Sequence, residues 1–148
     1  MKKWILFLSS ICLANFALAD DEFIPYHSIN FATPSKNIVC GGDVPARDGE
    51  KAWHGVSCYV TQIEGTPPIK RPKDCEFDWG QEFVLGRTGK PEMTCYSDYS
   101  YHLNPPILAY GKTIRGKGWQ CSSSEKGIRC ENSQKHGFEI SRKQQRLF

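Results

Sequence analysis

Past its first nineteen residues, this 148-residue chain has no apolar run approaching the roughly 20 residues that a membrane-spanning helix needs. That excludes a polytopic membrane protein. Windows without glycine or proline rarely exceed a dozen residues, because all 9 prolines and all 13 glycines lie beyond the leader. Long helices are therefore excluded as well. Neither sign of charge is in marked excess. After removal of Lys2 and Lys3 with the leader, 17 basic side chains face 16 acidic ones, and the basic ones are scattered, not gathered into a stripe with stacking rings. That argues against nucleic acid as a partner. Aliphatic side chains are also few: beyond the leader there are 18 Ile, Leu and Val against 15 Phe, Trp and Tyr, so rings carry much of the burial and favour sheet packing.

What the chain does have begins with an export signal. Met1-Lys2-Lys3 is a basic start, residues 4–14 are almost wholly apolar, and Ala17-Leu18-Ala19 supplies the small-x-small pattern of a signal peptidase site. Residues 1–19 are thus expected to be cleaved, 20–30 to form a lead-in, and 31–148 to form a single domain, exported to the periplasm or beyond the cell, with no membrane span after cleavage. Cys12 follows Ile11 in mid-leader, which does not suit a lipoprotein anchor. The other six cysteines fall as successive pairs: Cys40 and Cys58, Cys75 and Cys95, Cys121 and Cys130. An even count in an exported small domain reads as a disulfide framework.

Period-two alternation predicts short strands at 29–31, 37–40, 55–60, 81–85, 93–96, 117–121, 127–131 and 137–140, separated by turn signals such as Thr33-Pro34-Ser35 and Asn104-Pro105-Pro106. The fold class is mainly β with little helix: a compact, disulfide-stapled antiparallel sandwich or small barrel. The tail, 141–147, is expected to form a last helical turn. A faint internal repeat relates Lys36-Asn37-Ile38-Val39-Cys40 to Lys117-Gly118-Trp119-Gln120-Cys121, and Gly55-Val56-Ser57-Cys58 to Gly127-Ile128-Arg129-Cys130. Each reads as a hairpin with a cysteine on both arms, and the middle pair can be drawn the same way. Among the 15 connectivities open to six cysteines, sequential pairing is preferred on this ground.

Five ordered stretches resemble signatures of one family: residues 31–40, Cys75-Glu76-Phe77-Asp78-Trp79-Gly80, Leu108-Ala109-Tyr110-Gly111, residues 127–132, and His136-Gly137-Phe138-Glu139-Ile140-Ser141-Arg142. That family is an uncharacterised group of small exported bacterial proteins, a domain of unknown function. Lys36 stands where the Pro-Ser-x-Asn turn of the family suggests glycine, so a positive φ there carries a cost. The resemblance brings no activity with it.

Chemistry must then be judged from side chains. His27, His54, His102 and His136 show no metal-ligand spacing, Gly-x-Ser-x-Gly and Ser-x-x-Lys are missing, and no free thiol remains to pair with a histidine. Neither a catalytic residue nor a cofactor nor a metal is expected. Asp74, Glu76 and Asp78 would share one strand face, which suits solvation better than acid–base work. The candidate binding residues are Asp78 and Trp79 at a turn, Tyr110 among the tyrosines 96, 99, 101 and 110, His136 at the last turn, and the basic Arg142, Lys143 and Arg146. Trp79 has a plainer role as a packed ring with its indole N–H on a carbonyl, and Arg142 as a bridge to Asp78. Residues 112–148 carry 9 basic against 3 acidic side chains. That balance suits an acidic partner. The functional expectation is an exported binding module for an envelope or extracellular protein or glycan, such as an inhibitor-like or immunity-like protein blocking a wall hydrolase or a toxin. A small envelope enzyme acting on glycan or peptide, or a structural or adhesive component, is the alternative. Periplasmic lysozyme inhibitors are similar in size, export and disulfide use, although their Ser-Gly-x-x-Tyr loop is absent.

Overall fold

A computed structural model describes residues 26–148. The expected leader and its cleavage site lie outside the described residues. Ten strands run in chain order: β1 (Ile29–Ala32), β2 (Ile38–Val44), β3 (Trp53–Val60), β4 (Glu82–Gly86), β5 (Glu92–Met93), β6 (Thr113–Gly116), β7 (Trp119–Ser124), β8 (Gly127–Asn132), β9 (Gly137–Ile140) and β10 (Gln145–Leu147). They form two five-stranded antiparallel meanders, β1-β2-β3-β4-β5 and β10-β9-β8-β7-β6. No helix occurs among the described residues. The expected helical turn over 141–147 is instead the turn into β10, whose Gln145 and Leu147 pair with Ile140 and Phe138. The strand expected at 93–96 ends at Met93, and β6 and β10 carried too weak an alternation to be noticed. Asp74 and Glu76 lie in a loop, so the three acidic residues share no strand face.

The faint repeat is the whole architecture. Across the first sheet one row of partners runs Phe31, Cys40, Cys58, Phe83, Met93; across the second it runs Ile114, Cys121, Cys130, Phe138, Leu147. Both rows face inward, and their residues form or pack against one core cluster shared by the two sheets. Inward side chains alternate with outward ones along each strand, so fixing one row fixes the face of all others. Gly55 and Gly127, each three residues before the second cysteine of its pair, show how closely the halves match. A Cβ at Gly55 would lie 2.4 Å from the Leu85 carbonyl oxygen, and one at Gly127 2.2 Å from that of Ile140. Turn contacts repeat too: the Thr61 N–H donates to the Asn37 carbonyl at 2.8 Å and the Ser133 N–H to that of Gly118 at 3.1 Å.

The bridges follow the sequence order, Cys40–Cys58, Cys75–Cys95 and Cys121–Cys130. The first and third join directly opposed residues, with Cα separations of 4.1 and 4.0 Å, inside the core. The middle bridge is different in kind: Cys75 precedes β4 and Cys95 follows β5, so it ties two loops, assisted by the backbone pairing of Asp78 with Tyr96. It has no counterpart in the second sheet.

Candidate binding cleft

At one end of the sandwich three turns approach one another. The β1–β2 turn, 33–37, is closed by the Thr33 N–H donating to the Ile38 carbonyl at 3.0 Å and the Lys36 N–H to that of Thr33 at 2.8 Å, and Lys36 adopts a φ of 59°. Lys36 therefore occupies the left-handed region that its place in the turn demands. Asn37 then clamps the chain leaving β3, donating from Nδ2 to the Gln62 carbonyl at 3.0 Å and accepting the Gln62 N–H at 2.8 Å. The β7–β8 turn consists of Glu125 and Lys126, with the Lys126 N–H on Ser124 Oγ at 3.2 Å. The β9–β10 turn is held by Ser141, whose Oγ accepts the Gln144 N–H at 3.0 Å.

Between these turns lies a cleft of about 480 Å³, within the roughly 300–1,000 Å³ of ordinary ligand sites. Buried Ile38 forms its apolar base; hydroxyls of Thr33, Ser35, Ser124 and Ser141 and the amides of Asn37 and Gln62 line it. Lys126, Arg142 and Lys143 bring positive charge, Glu125 a carboxylate, and Tyr110, 45% exposed, a ring at the rim. The turn Ala109–Lys112 presents that ring, because the Gly111 N–H donates to the Ser123 carbonyl at 2.8 Å and anchors the turn on β7. Arg142 is held by Glu64, Nε to Oε1 at 3.1 Å, while its carbonyl accepts the Glu64 N–H at 2.7 Å. Its partner is thus Glu64 and not Asp78.

The residues singled out from the sequence separate into groups. Tyr110, Arg142 and Lys143 meet at the cleft. Arg146 lies on the outer face of the second sheet, bridged to Glu139 at 2.8 Å and with its guanidinium 5.0 Å from the centre of the Phe148 ring, which also has the Arg129 guanidinium at 4.2 Å. His136 sits in the β8–β9 turn at the far end, its N–H on Asn132 Oδ1 at 3.2 Å. Asp78 pairs through its backbone with Tyr96, and the Trp79 indole N–H donates to the Ile69 carbonyl at 3.1 Å. Lys126, Glu125 and Gln62 escaped sequence reasoning. The one available signal was the two-residue connection between the cysteine-bearing strands β7 and β8, which places Glu125 and Lys126 at a tight turn.

The far end of the sandwich carries a different arrangement. Asp43, with a φ of 52°, accepts the Gly55 N–H at 3.3 Å and the Trp119 indole N–H at 3.1 Å on Oδ1, and the Lys117 N–H at 3.0 Å on Oδ2. Burial pushes its carboxyl upward, but the bonds from Lys117, Trp119 and Gly55, with His54 beside it, outweigh burial and hold it below the usual carboxylate range. The Trp119 ring lies in a slot where a Cβ on Gly42 or on Gly116 would come within 2.2 Å of it. His54 Nδ1 faces Asp43 Oδ1 at 3.5 Å beside a hollow of about 510 Å³. With its carboxylate committed to three donors, this pair is a structural knot. Among the described residues no group of three His, Cys, Asp or Glu is arranged to hold a metal ion, and no helix is long and apolar enough to cross a membrane.

Compared with known proteins, the chain belongs to a family of unknown function, DUF6636, which matches residues 7–148. It is also similar, at 28% identity over 67 residues, to ABC transporter G family member 24 of Dictyostelium discoideum, a match that covers 45% of this chain and 5% of that protein. So short a share of the longer protein transfers nothing about transport. No solved structure matches the chain.

Proposed function

We propose that this chain is an exported, disulfide-stapled binding module that holds an envelope or extracellular component at the cleft between the β1–β2, β7–β8 and β9–β10 turns. The observation that carries this reading is convergence: segments near residues 35, 62, 110, 125 and 142, far apart in the chain, meet there and present hydroxyls, amides and cations. Nothing in that lining pairs a nucleophile with a base, so the inventory suits capture or blockade of a target and not its turnover. Two cross-strand disulfides in the core and turns closed by their own hydrogen bonds keep the cleft pre-formed, which lowers the ordering cost of binding. The basic start, the apolar run and Ala17-Leu18-Ala19 support export, and three bridges that join the other six cysteines are consistent with it.

The test has two parts. Intact-mass analysis of the native protein should give a chain beginning at Asp20; recovery only as the full-length form in membranes would refute export. Immobilised mature protein should then capture a partner from envelope or host extracts, and lose it when Lys126 and Lys143 are replaced by serine but not when His136 is replaced by alanine. Retention of the partner by the lysine variant would move the site elsewhere, and turnover of a glycan or peptide by purified protein would replace the binding reading with an enzymatic one.

A further inference from the structure

We infer that the cleft takes an acidic saccharide, a short run of sugar rings bearing carboxylate or sulfate groups; the inference rests on the cleft being the binding site. The charges come first. Arg142 is occupied by Glu64, but the ammonium groups of Lys126 and Lys143 make no hydrogen bond or ion pair among the described residues, and both side chains are exposed at the mouth of the cleft. Two ammonium groups with no partner flanking a concave surface attract anions. Glu125 supplies an acceptor at the same rim. An anion alone has no use for it, whereas sugar hydroxyls donate to it. Ring faces of saccharides pack on aromatic surfaces, and Tyr110 offers a half-exposed ring beside the polar lining.

An acidic peptide would fit less well. Extended peptides are recognised by adding to a strand edge and by pockets for alternate side chains. This cleft is built of turns whose N–H groups at Thr33, Lys36, Ser141 and Gln144 are already bonded within those turns. Its one aliphatic lining residue, Ile38, is 2% exposed and offers a base, not a pocket for an anchor side chain. The hydroxyls of Thr33, Ser35, Ser124 and Ser141 are bonded within their turns, so the polar groups on offer are the Gln62 amide, the two ammonium groups and the Glu125 carboxylate, which match a polyol that also carries negative charge.

Titration calorimetry of the mature protein with oligogalacturonate, with the same oligomer methyl-esterified, with a heparin-derived tetrasaccharide and with hexaglutamate tests this directly. At low salt, oligogalacturonate or the heparin fragment should bind; because heparin carries carboxylates as well as sulfates, binding of oligogalacturonate shows that carboxylate suffices, and binding of the heparin fragment alone shows that sulfate is required. Esterification should weaken oligogalacturonate at least tenfold. Lys126→Ser with Lys143→Ser should weaken the acidic oligomer similarly, an effect that shrinks as salt is raised; Glu125→Gln should weaken it a few-fold despite removing a repelling charge, because one carboxylate oxygen becomes an NH2 donor and the acceptor that remains is neutral and weaker. Circular dichroism of the variants checks that they fold. Equal binding of esterified and acidic oligomers would overturn the requirement for charge, and hexaglutamate binding as tightly with the same lysine dependence would assign the cleft to acidic peptides. If no acidic saccharide binds while partner capture still depends on Lys126 and Lys143, the saccharide inference fails and the cleft reading stands; if capture too is indifferent to the lysines, both fail.

Discussion

The two sheets share one blueprint, five antiparallel strands around a cross-strand disulfide, yet the two ends of the sandwich that they form differ. Three residues after Cys40 stands Asp43, which reaches across to Lys117 and Trp119 of the other sheet; three residues after Cys121 stands Ser124, whose hydroxyl serves only its own turn. Two residues after Cys130 stands Asn132, whose side chain donates to the Gly86 and Gly89 carbonyls at 3.0 and 2.8 Å; two residues after Cys58 stands Val60, whose side chain has nothing to donate. One end is thus locked by buried cross-sheet hydrogen bonds. At the other the sheets meet through Glu64 and Arg142, and the cleft opens. A duplicated scaffold can place stability at one end and a polar surface at the other while leaving the shared core row intact.

The largest expected effects test the shared row. Removing Cys40–Cys58 by paired alanines should cost about 3 kcal/mol from loop entropy, and removing Cys121–Cys130 about 2.5 kcal/mol, because its loop is shorter, with sequence separations of 18 and 9. Denaturant unfolding of each variant measures this. The Cys75–Cys95 loop, with a separation of 20, also gives about 3 kcal/mol from loop entropy, so the row would not be the organising element if loss of that bridge exceeded loss of Cys40–Cys58 by more than about 1 kcal/mol.

The next effect separates the two ends. Asp43→Ala strands the Trp119 indole and the Lys117 and Gly55 N–H groups, at roughly 1–3 kcal/mol for a buried unsatisfied donor, so a loss of about 2–3 kcal/mol is expected; Ser124→Ala should stay within about 0.5 kcal/mol. Equal shifts in unfolding midpoint would erase the distinction between a locked and an open end. Because the Asp43 carboxyl titrates below its unfolded value, its contribution is present above the unfolded pKa and is lost as pH falls through the folded one.

Much of this was legible in the sequence. The paired cysteines and the Gly-x-x-Cys echo disclosed the repeat and the bridge order, since a cysteine on each arm of a hairpin leaves a strong one-dimensional trace. Strands β6 and β10 did not show, because Thr113–Gly116 and Gln145–Leu147 are short edge strands with weak alternation. The lining of the candidate cleft was half legible. Tyr110, Arg142 and Lys143 stood out by type, but Asp78, Trp79 and His136 stood out equally and serve backbone pairing, packing and a turn. Lys126 could not be singled out from local pattern, because its place at the cleft comes from the β1–β2 turn that the fold brings opposite.

The outer faces differ as well, and pH sharpens that contrast. On the first sheet His27, 3% exposed, stacks on Tyr101 with ring centres 5.5 Å apart, its Nε2 lying 3.4 Å from Ser57 Oγ and its Nδ1 left without a partner. A Cβ on Gly41 would strike this ring at 2.2 Å, so glycine there is what admits it. Burial lowers the His27 pKa from 6.5 to about 4. The folded state therefore prefers the neutral ring, and the stability it confers is complete above pH 6.5 and lost as pH falls toward 4. That window corresponds to at most about 3 kcal/mol, and partial rehydration of the ring reduces the expected loss to roughly 1–2 kcal/mol. Unfolding curves of wild type and His27→Gln across this range should converge at acid pH; parallel curves would show that the slope belongs to other groups.

The smallest effect concerns the second sheet, whose outer face is covered by charge instead of rings. Glu139 accepts bonds from Arg129 and Arg146, Glu131 takes a second bond from Arg129 at 3.1 Å and one from Lys135 at 3.0 Å, and both guanidinium groups lie over Phe148. Glu131 is mostly covered, but Arg129, Glu139 and Arg146 are about half exposed, and exposed ion pairs contribute only about 0–1 kcal/mol, screened by salt. Glu139→Gln should therefore lower the unfolding midpoint slightly in low salt and hardly at all at high salt. On the first sheet Tyr101→Phe removes a bond to the Glu82 carboxylate of 2.7 Å beneath a buried ring, so its cost of about 1 kcal/mol should persist at every ionic strength. If the two variants responded alike to salt, the outer faces would not differ in the forces that hold them. If Glu139→Gln responded and Tyr101→Phe did not, Glu139 would be established as the centre of a surface network with Arg129 and Arg146, a face apart from the proposed cleft where Lys126 and Lys143 stand.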